Sequence, residues 1–239
     1  MQEVNMRRLF ITGDTHGDFD FLSSWCEINN TTYEDILLIL GDAGINYYGP
    51  TQKRELDLKD KIAKCPITLL CVRGNHEDRP EDRPELGLGD VGIGDEVYLD
   101  IRYPNIWYTQ DGGEYEIIGK KILTIGGAYS VDKFYRISRG WKWVANEMLN
   151  SDERAMILDK VYDKNYDLVC THTCPIDWEP VDLFLGGIDQ NSVPKDMERF
   201  LADVKRYITY KKWYFGHYHA DREQWDNSYL LFHDIIEIH

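Results

Sequence analysis

The chain has 239 residues, with 27 Lys plus Arg against 42 Asp plus Glu and a formal net charge of −15, which argues against non-specific attachment to nucleic acid or anionic lipid. The length fits one large domain or two small ones, and no apolar run approaches the roughly 18 residues of a membrane helix. Five cysteines, Cys26, Cys65, Cys71, Cys170 and Cys174, are odd in number and lack CxxC spacing; with no basic-then-apolar segment at the N-terminus, they read as reduced thiols of a cytoplasmic protein.

Residues 7–14 predict a first strand. Asp18 to Asn30 predicts a helix, with Phe19, Leu22, Trp25, Cys26 and Ile28 near one face and Asp18 as its cap. Asp35 to Asp42 is a second strand, residues 51–64 alternate charge and Leu at helical spacing, and Pro66 to Val72 is a third strand. This β-α-β-α-β order implies parallel pairing. Residues 78–96, rich in Pro, Gly and acid, read as a surface loop. Glu114 to Ile118 and Lys121 to Ile125, joined by Gly119-Lys120, form a hairpin pattern. Helices are expected from Ser151, as cap, to Asp163 and from Lys195 to Tyr207. Leu168-Val169-Cys170 and Trp213-Tyr214-Phe215 read as strands, and Asn227 to Ile238 as one or two closing strands. The mixture suggests two stacked sheets covered by helices, in one domain spanning 1–239 because the candidate ligands come from both ends.

The strand ends carry the chemistry. Arg73-Gly74-Asn75-His76-Glu77-Asp78 follows the third strand. Gly13-Asp14-Thr15-His16-Gly17, Gly41-Asp42, Thr171-His172 and Gly216-His217-Tyr218-His219 follow other apolar runs in the same way. Open α/β sheets place ligands beyond the carboxyl ends of their strands. A cluster of Asp14, His16, Asp42, Asn75, His172, His217 and His219 is therefore expected. Oxygen and imidazole donors without thiolate suit Mn, Fe or Zn. So many donors exceed what one ion takes, whereas a bridged pair of ions uses them well.

The ordered series GDTHG, GDAG, RGNHE, THTCP and GHYH, from Gly13 to His219, resembles the calcineurin-like metallophosphoesterase superfamily, in its bacterial or phage-type members. That resemblance implies a four-layer α/β/β/α sandwich of two mixed sheets flanked by helices. It implies two divalent ions, Mn²⁺ first with Fe or Zn as alternatives. Asp14, His16 and His219 would hold the first ion, Asn75, His172 and His217 the second, and Asp42 would bridge them. It further implies hydrolysis of a phosphomonoester or phosphodiester by a bridging hydroxide, with His76, a non-ligand, protonating the leaving oxygen. Asn46 and Asp78 are both candidates for orienting His76.

The match departs from the protein-phosphatase branch, which reads GDxxDRG at the second motif. Ile45 stands where that branch has an Asp, and Tyr47 lies near the position of its phosphate-gripping Arg. Protein serine/threonine phosphatase activity is thus an alternative reading, and a non-catalytic metal-binding scaffold of the same fold a third. The segment Gly126 to Trp141 resembles one near the metal site of bacterial and phage-like members. Its cations Lys133, Arg136 and Arg139 are the expected substrate-binding residues, Arg136 first because Tyr135 and Trp141 can pack around it. The expected partner is a phosphate-ester substrate rather than nucleic acid or membrane.

Overall fold

The computed structural model describes residues 7–224 and 227–239. In chain order the elements are β1 (Leu9–Thr12), α1 (Leu22–Asn29), β2 (Ile36–Ile39), α2 (Lys53–Ile62), β3 (Thr68–Cys71), β4 (Gly87–Gly89), β5 (Val97–Leu99), β6 (Ile106–Tyr108), β7 (Gly113–Ile117), β8 (Lys120–Ile125), α3 (Lys133–Ser138), α4 (Ser151–Val161), β9 (Asn165–Thr171), α5 (Asp196–Tyr207), β10 (Thr209–Phe215), β11 (Arg222–Glu223), β12 (Ser228–Leu230) and β13 (Ile236–Ile238). They form two mixed sheets, one in the order β13-β1-β2-β3-β6-β5-β4 and the other β11-β12-β10-β9-β8-β7. Strands β1, β2, β3 and β6 run parallel, as do β8, β9, β10 and β12. Antiparallel strands close the edges, among them β13 against β1.

Strand alternation sorts the side chains into layers. From the first sheet, Leu9, Ile11, Ile36, Leu38 and Leu70 meet Ile122, Leu168, Cys170 and Tyr214 of the second to form the core between the sheets. Their neighbours Phe10, Leu37, Ile39, Leu69 and Cys71 face outward onto Leu22 and Cys26 of α1 and Ile62 of α2. Leu123, Val169, Trp213 and Phe215 likewise face Ile157 and Val161 of α4 and Met197, Leu201 and Val204 of α5. Each sheet is thus covered by helices on one face and by the other sheet on the opposite face. Strands buried on both faces read as continuous apolar runs, as parallel strands do. All five cysteines are free and buried, and among the described residues no helix is long and apolar enough to cross a membrane.

Some expectations need correction. Helix α1 begins at Leu22 behind Phe21, without a side-chain cap. Asp18 instead accepts the Asp20 N–H at 3.1 Å in a turn before the helix, and Ile28 points outward, 77% exposed. The cap of α4 is Asn150, whose side chain accepts the N–H groups of Asp152 and Glu153 while the Glu153 carboxylate takes the Asn150 N–H. That is a complete capping box, one residue before Ser151. Residues 78–96 are not purely a surface loop: they contain the edge strand β4 and bury Arg79 and Arg83. Arg79 meets Glu153 at 2.6 Å, and Arg83 pairs with Glu55, Asp78 and Glu85. A buried guanidinium is tolerable only with such partners.

Candidate metal centre and its flanking cavities

Parallel pairing aligns the carboxyl ends of β1, β2 and β3 in one sheet and of β9 and β10 in the other. The chain then turns sharply: His16, Asp42, His217 and His219 all adopt positive φ (48°, 45°, 71° and 52°), a conformation costly for side chains other than Gly. The turns are stitched to one another. The His16 N–H donates to the Asp42 carbonyl at 2.8 Å and the Gly216 N–H to the His172 carbonyl at 2.9 Å. The His217 N–H donates to the Asp14 carboxylate at 3.0 Å, and the His76 N–H to Asp42 Oδ1 at 2.9 Å.

These turns bring the candidate ligand atoms together. Those of Asp14, His16 and His219 lie within 4.8 Å of one another, and so do those of Asp14, Asp42 and His172. The donor set fits cations rather than a self-sufficient hydrogen-bond network. His16 Nε2 and His219 Nε2 face each other at 2.9 Å, beside Asp14. His172 Nδ1 lies 2.8 Å from the Leu40 carbonyl, which accepts only, so Nδ1 carries hydrogen. The opposite nitrogen, Nε2, is aimed at Asn75 Oδ1, 2.7 Å away. In the neutral ring that arrangement sets one lone pair against another. A divalent ion among them satisfies both donors, and a carbonyl holding the far nitrogen of a ligating His is its usual orienting partner.

Asn75 is itself oriented. Its amide nitrogen donates to Ser130 Oγ at 2.8 Å, and that hydroxyl donates to Glu147 Oε2 at 2.5 Å. Trp143 Nε1 donates to the same carboxylate oxygen at 2.9 Å. The chain of donors leaves Oδ1 of Asn75 facing the cluster. Sequence reasoning missed Ser130 and Glu147, since nothing local distinguishes them. Arg73, whose direction the sequence left open, is structural: it donates to Asp111 at 2.9 Å and to the Glu147 carbonyl at 2.6 Å.

The electrostatics favour an ionised Asp42. Burial opposes its charge, but the imidazoles of His76, His172 and His16 and the His76 N–H outweigh that cost and hold its carboxyl below the usual carboxylate range. Desolvation, with His172 nearby, pushes His217 well below the usual imidazole value. Burial raises Glu77 to about 7, with the Asp42 charge adding to the effect.

His76 Nε2 lies 3.8 Å from Asp42 Oδ2. Neither residue offered by the sequence to orient it hydrogen-bonds the ring. Asp78 pairs with Arg83 at 3.1 Å and Lys142 at 2.6 Å, and the buried Asn46 amide has no partner among the described residues. Asp42 and His76 line two cavities at once. One, of about 710 Å³, also takes in His16, Tyr47, Tyr48, Arg54, Arg136, Trp141 and Lys142. The other, of about 180 Å³, is walled by Tyr129, Ser130, Leu183, Phe184, Ile188 and Val193 together with His217 and His219. The Gly126–Trp141 segment thus walls both. Arg136 reaches the larger cavity with its Nε on Asp132 at 2.7 Å. Lys133 and Arg139 do not line either one; they sit over the rings of Trp143 and Tyr135.

Two glycines are dictated by close approach. A Cβ on Gly41 would lie 2.1 Å from His172 Nδ1, and one on Gly74 would lie 1.9 Å from Asp42 Oδ1 and 2.2 Å from its backbone nitrogen. Gly74→Ala is therefore expected to displace the Asp42 turn, at a cost of about 3 kcal/mol or more. Denaturant unfolding checks this, and a midpoint equal to wild type would show that the turn yields freely.

No curated protein matches the chain in sequence. Among solved structures with a similar course, one described as the crystal structure of TT1561 of Thermus thermophilus is 13% identical, with 95% of this chain and 88% of that chain covered and a TM-score of 0.44. A second is 14% identical, with 94% and 89% covered and a TM-score of 0.45. The sequence profile of the calcineurin-like phosphoesterases matches residues 7–221, a span that takes in both sheets' strand ends and every candidate ligand from Asp14 to His219. The chain belongs to the calcineurin-like phosphoesterase family.

Proposed function

We propose that this protein hydrolyses a phosphate ester on a dinuclear centre held by Asp14, His16, Asp42, Asn75, His172, His217 and His219. The observation that carries the reading is the convergence of buried carboxylates with imidazole nitrogens at the ends of strands from both sheets, one of them, His172 Nε2, set against the Asn75 carbonyl oxygen. When bound, the ions lower the pKa of water and draw charge from the phosphoryl oxygens. Oxygen and nitrogen donors without thiolate suit Mn²⁺, with Fe or Zn as alternatives. His76 sits beside Asp42 and faces both cavities. Its role is to hand a proton to the leaving oxygen, work for which an imidazole near neutrality is suited. Arg136 bounds the larger cavity and supplies a guanidinium to the phosphoryl oxygens.

Chelation is expected to abolish hydrolysis of p-nitrophenyl phosphate or bis(p-nitrophenyl) phosphate, and Mn²⁺ to restore it best. Protein that hydrolyses neither ester with any of these ions would favour the scaffold reading. Preference for a phosphopeptide over both would favour the protein-phosphatase reading, which the buried Ile45 and the absent DRG arginine count against.

A further inference from the structure

The smaller cavity, of about 180 Å³, is lined by two carboxyl groups that each keep an oxygen unmatched. Glu198, in the first turn of α5, is only 4% exposed. Its Oε1 accepts the Thr173 hydroxyl at 3.1 Å. Its Oε2 is buried and has no hydrogen-bond partner among the described residues. Asp132 comes from a different part of the chain, the Gly126–Trp141 segment. Its Oδ2 accepts the Arg136 Nε–H at 2.7 Å, and its buried Oδ1 has no partner among the described residues. The lysine of this cavity does not fill the gap: Lys195 Nζ is paired with Glu179 at 2.6 Å.

A buried carboxyl oxygen without a donor is costly. An acid in the first turn of a helix suits the helix dipole, but that effect is available at the surface and does not account for an oxygen enclosed and unpaired. Burial, with the Glu179 charge nearby, raises the Glu198 carboxyl to about 7, the behaviour of an acid that lacks a counter-charge. Leu183, Ile188 and Val193 line the same cavity. Their side chains offer no donor to Glu198, but they suit a short alkyl stem. His76, His217 and His219 border the cavity as well, so a ligand that fills it also reaches the candidate metal centre.

We propose that the smaller cavity binds an ammonium group on a short alkyl stem, with Glu198 Oε2 as its acceptor and the Asp132 carboxylate adding to the negative field around it. The proposal rests on the phosphoesterase reading for the scissile step and adds the substrate class: a phosphate ester of an amino alcohol. Hydrolysis of such an ester consumes one water. The water oxygen bonds to phosphorus, the P–O bond to the arm breaks, and the arm leaves as an amino alcohol carrying one of the water's protons.

Calorimetric titration of the full chain, with Mn²⁺ in excess, tests this with phosphonates, whose P–C bond resists hydrolysis. Aminoethylphosphonate is compared with propylphosphonate, and aminopropylphosphonate with butylphosphonate, each amine at the chain end; within each pair a methyl replaces the ammonium. Wild type is expected to bind the amine of at least one pair about tenfold or more tightly than its methyl partner, as a charge-assisted hydrogen bond allows. Glu198→Gln keeps the shape of the side chain and removes its charge. It should erase that preference and leave binding of the alkylphosphonates unchanged, which also verifies that the variant folds. Wild type that prefers neither amine, or a Glu198→Gln variant that keeps the preference, overturns the proposal. These ratios need no turnover. Failure of wild type to cleave p-nitrophenyl phosphate with Mn²⁺ would strike the phosphoesterase reading instead, and the two failures are read separately.

Discussion

Asp42→Asn is expected to strip most of the metal and most of the activity. Asparagine keeps the shape of the side chain and can still accept the His76 N–H that Asp42 Oδ1 receives at 2.9 Å, so the turn between β2 and its ligand survives. What changes is charge. His76, His172 and His16 hold this carboxyl in its ionised form, and its oxygens face His76 and His172, each with Nε2 3.8 Å from Oδ2. If Asp42 bridges two cations, the change puts a neutral amide with one acceptor oxygen in place of that carboxylate. Losing several kcal/mol of charge stabilisation corresponds to roughly 10³-fold or more in rate. Metal analysis should fall from two ions per chain. A stoichiometry of one, unchanged in the variant, would end the dinuclear reading.

His76→Ala should separate chemistry from metal binding. The contact that ties this residue to the centre runs through its backbone N–H, which alanine retains, so the Asp42 carboxylate stays in place and metal content should not move. The ring itself faces both cavities. Its removal is expected to cut kcat by about 10²–10⁴-fold for esters with poor leaving groups. The loss should shrink for p-nitrophenyl esters, whose leaving oxygen departs without a proton. Equal losses for both kinds of ester would mean that the imidazole positions something rather than donating a proton.

The candidate ligands were legible in the sequence because each follows an apolar run that reads as a buried strand. Strand polarity then fixes which end of the sheet they share. The layers were legible for a related reason: alternating residues of β1, β2 and β3 are apolar on both faces, so both faces need cover. Glu147 was not legible. Glu147 acts on Asn75 through Ser130, a contact across 55 residues that no local pattern records. The 78–96 segment misled because its composition is that of a loop, while the carboxylates that allow Arg79 and Arg83 to be buried include Glu153 of α4 and Glu55 of α2.

The hydrogen bond from His217 to Asp14 spans 203 residues. At ribosomal rates of about 5–20 residues per second, Asp14 emerges roughly ten to forty seconds before its partner. During that time Asp14, His16, Asp42 and Asn75 wait for the histidines that follow β9 and β10, and the apolar strand β1 has an open edge until β13 is made. An unpaired apolar edge is a template for other chains. The exposed stage of the newborn protein is therefore the interval before β13 pairs with β1.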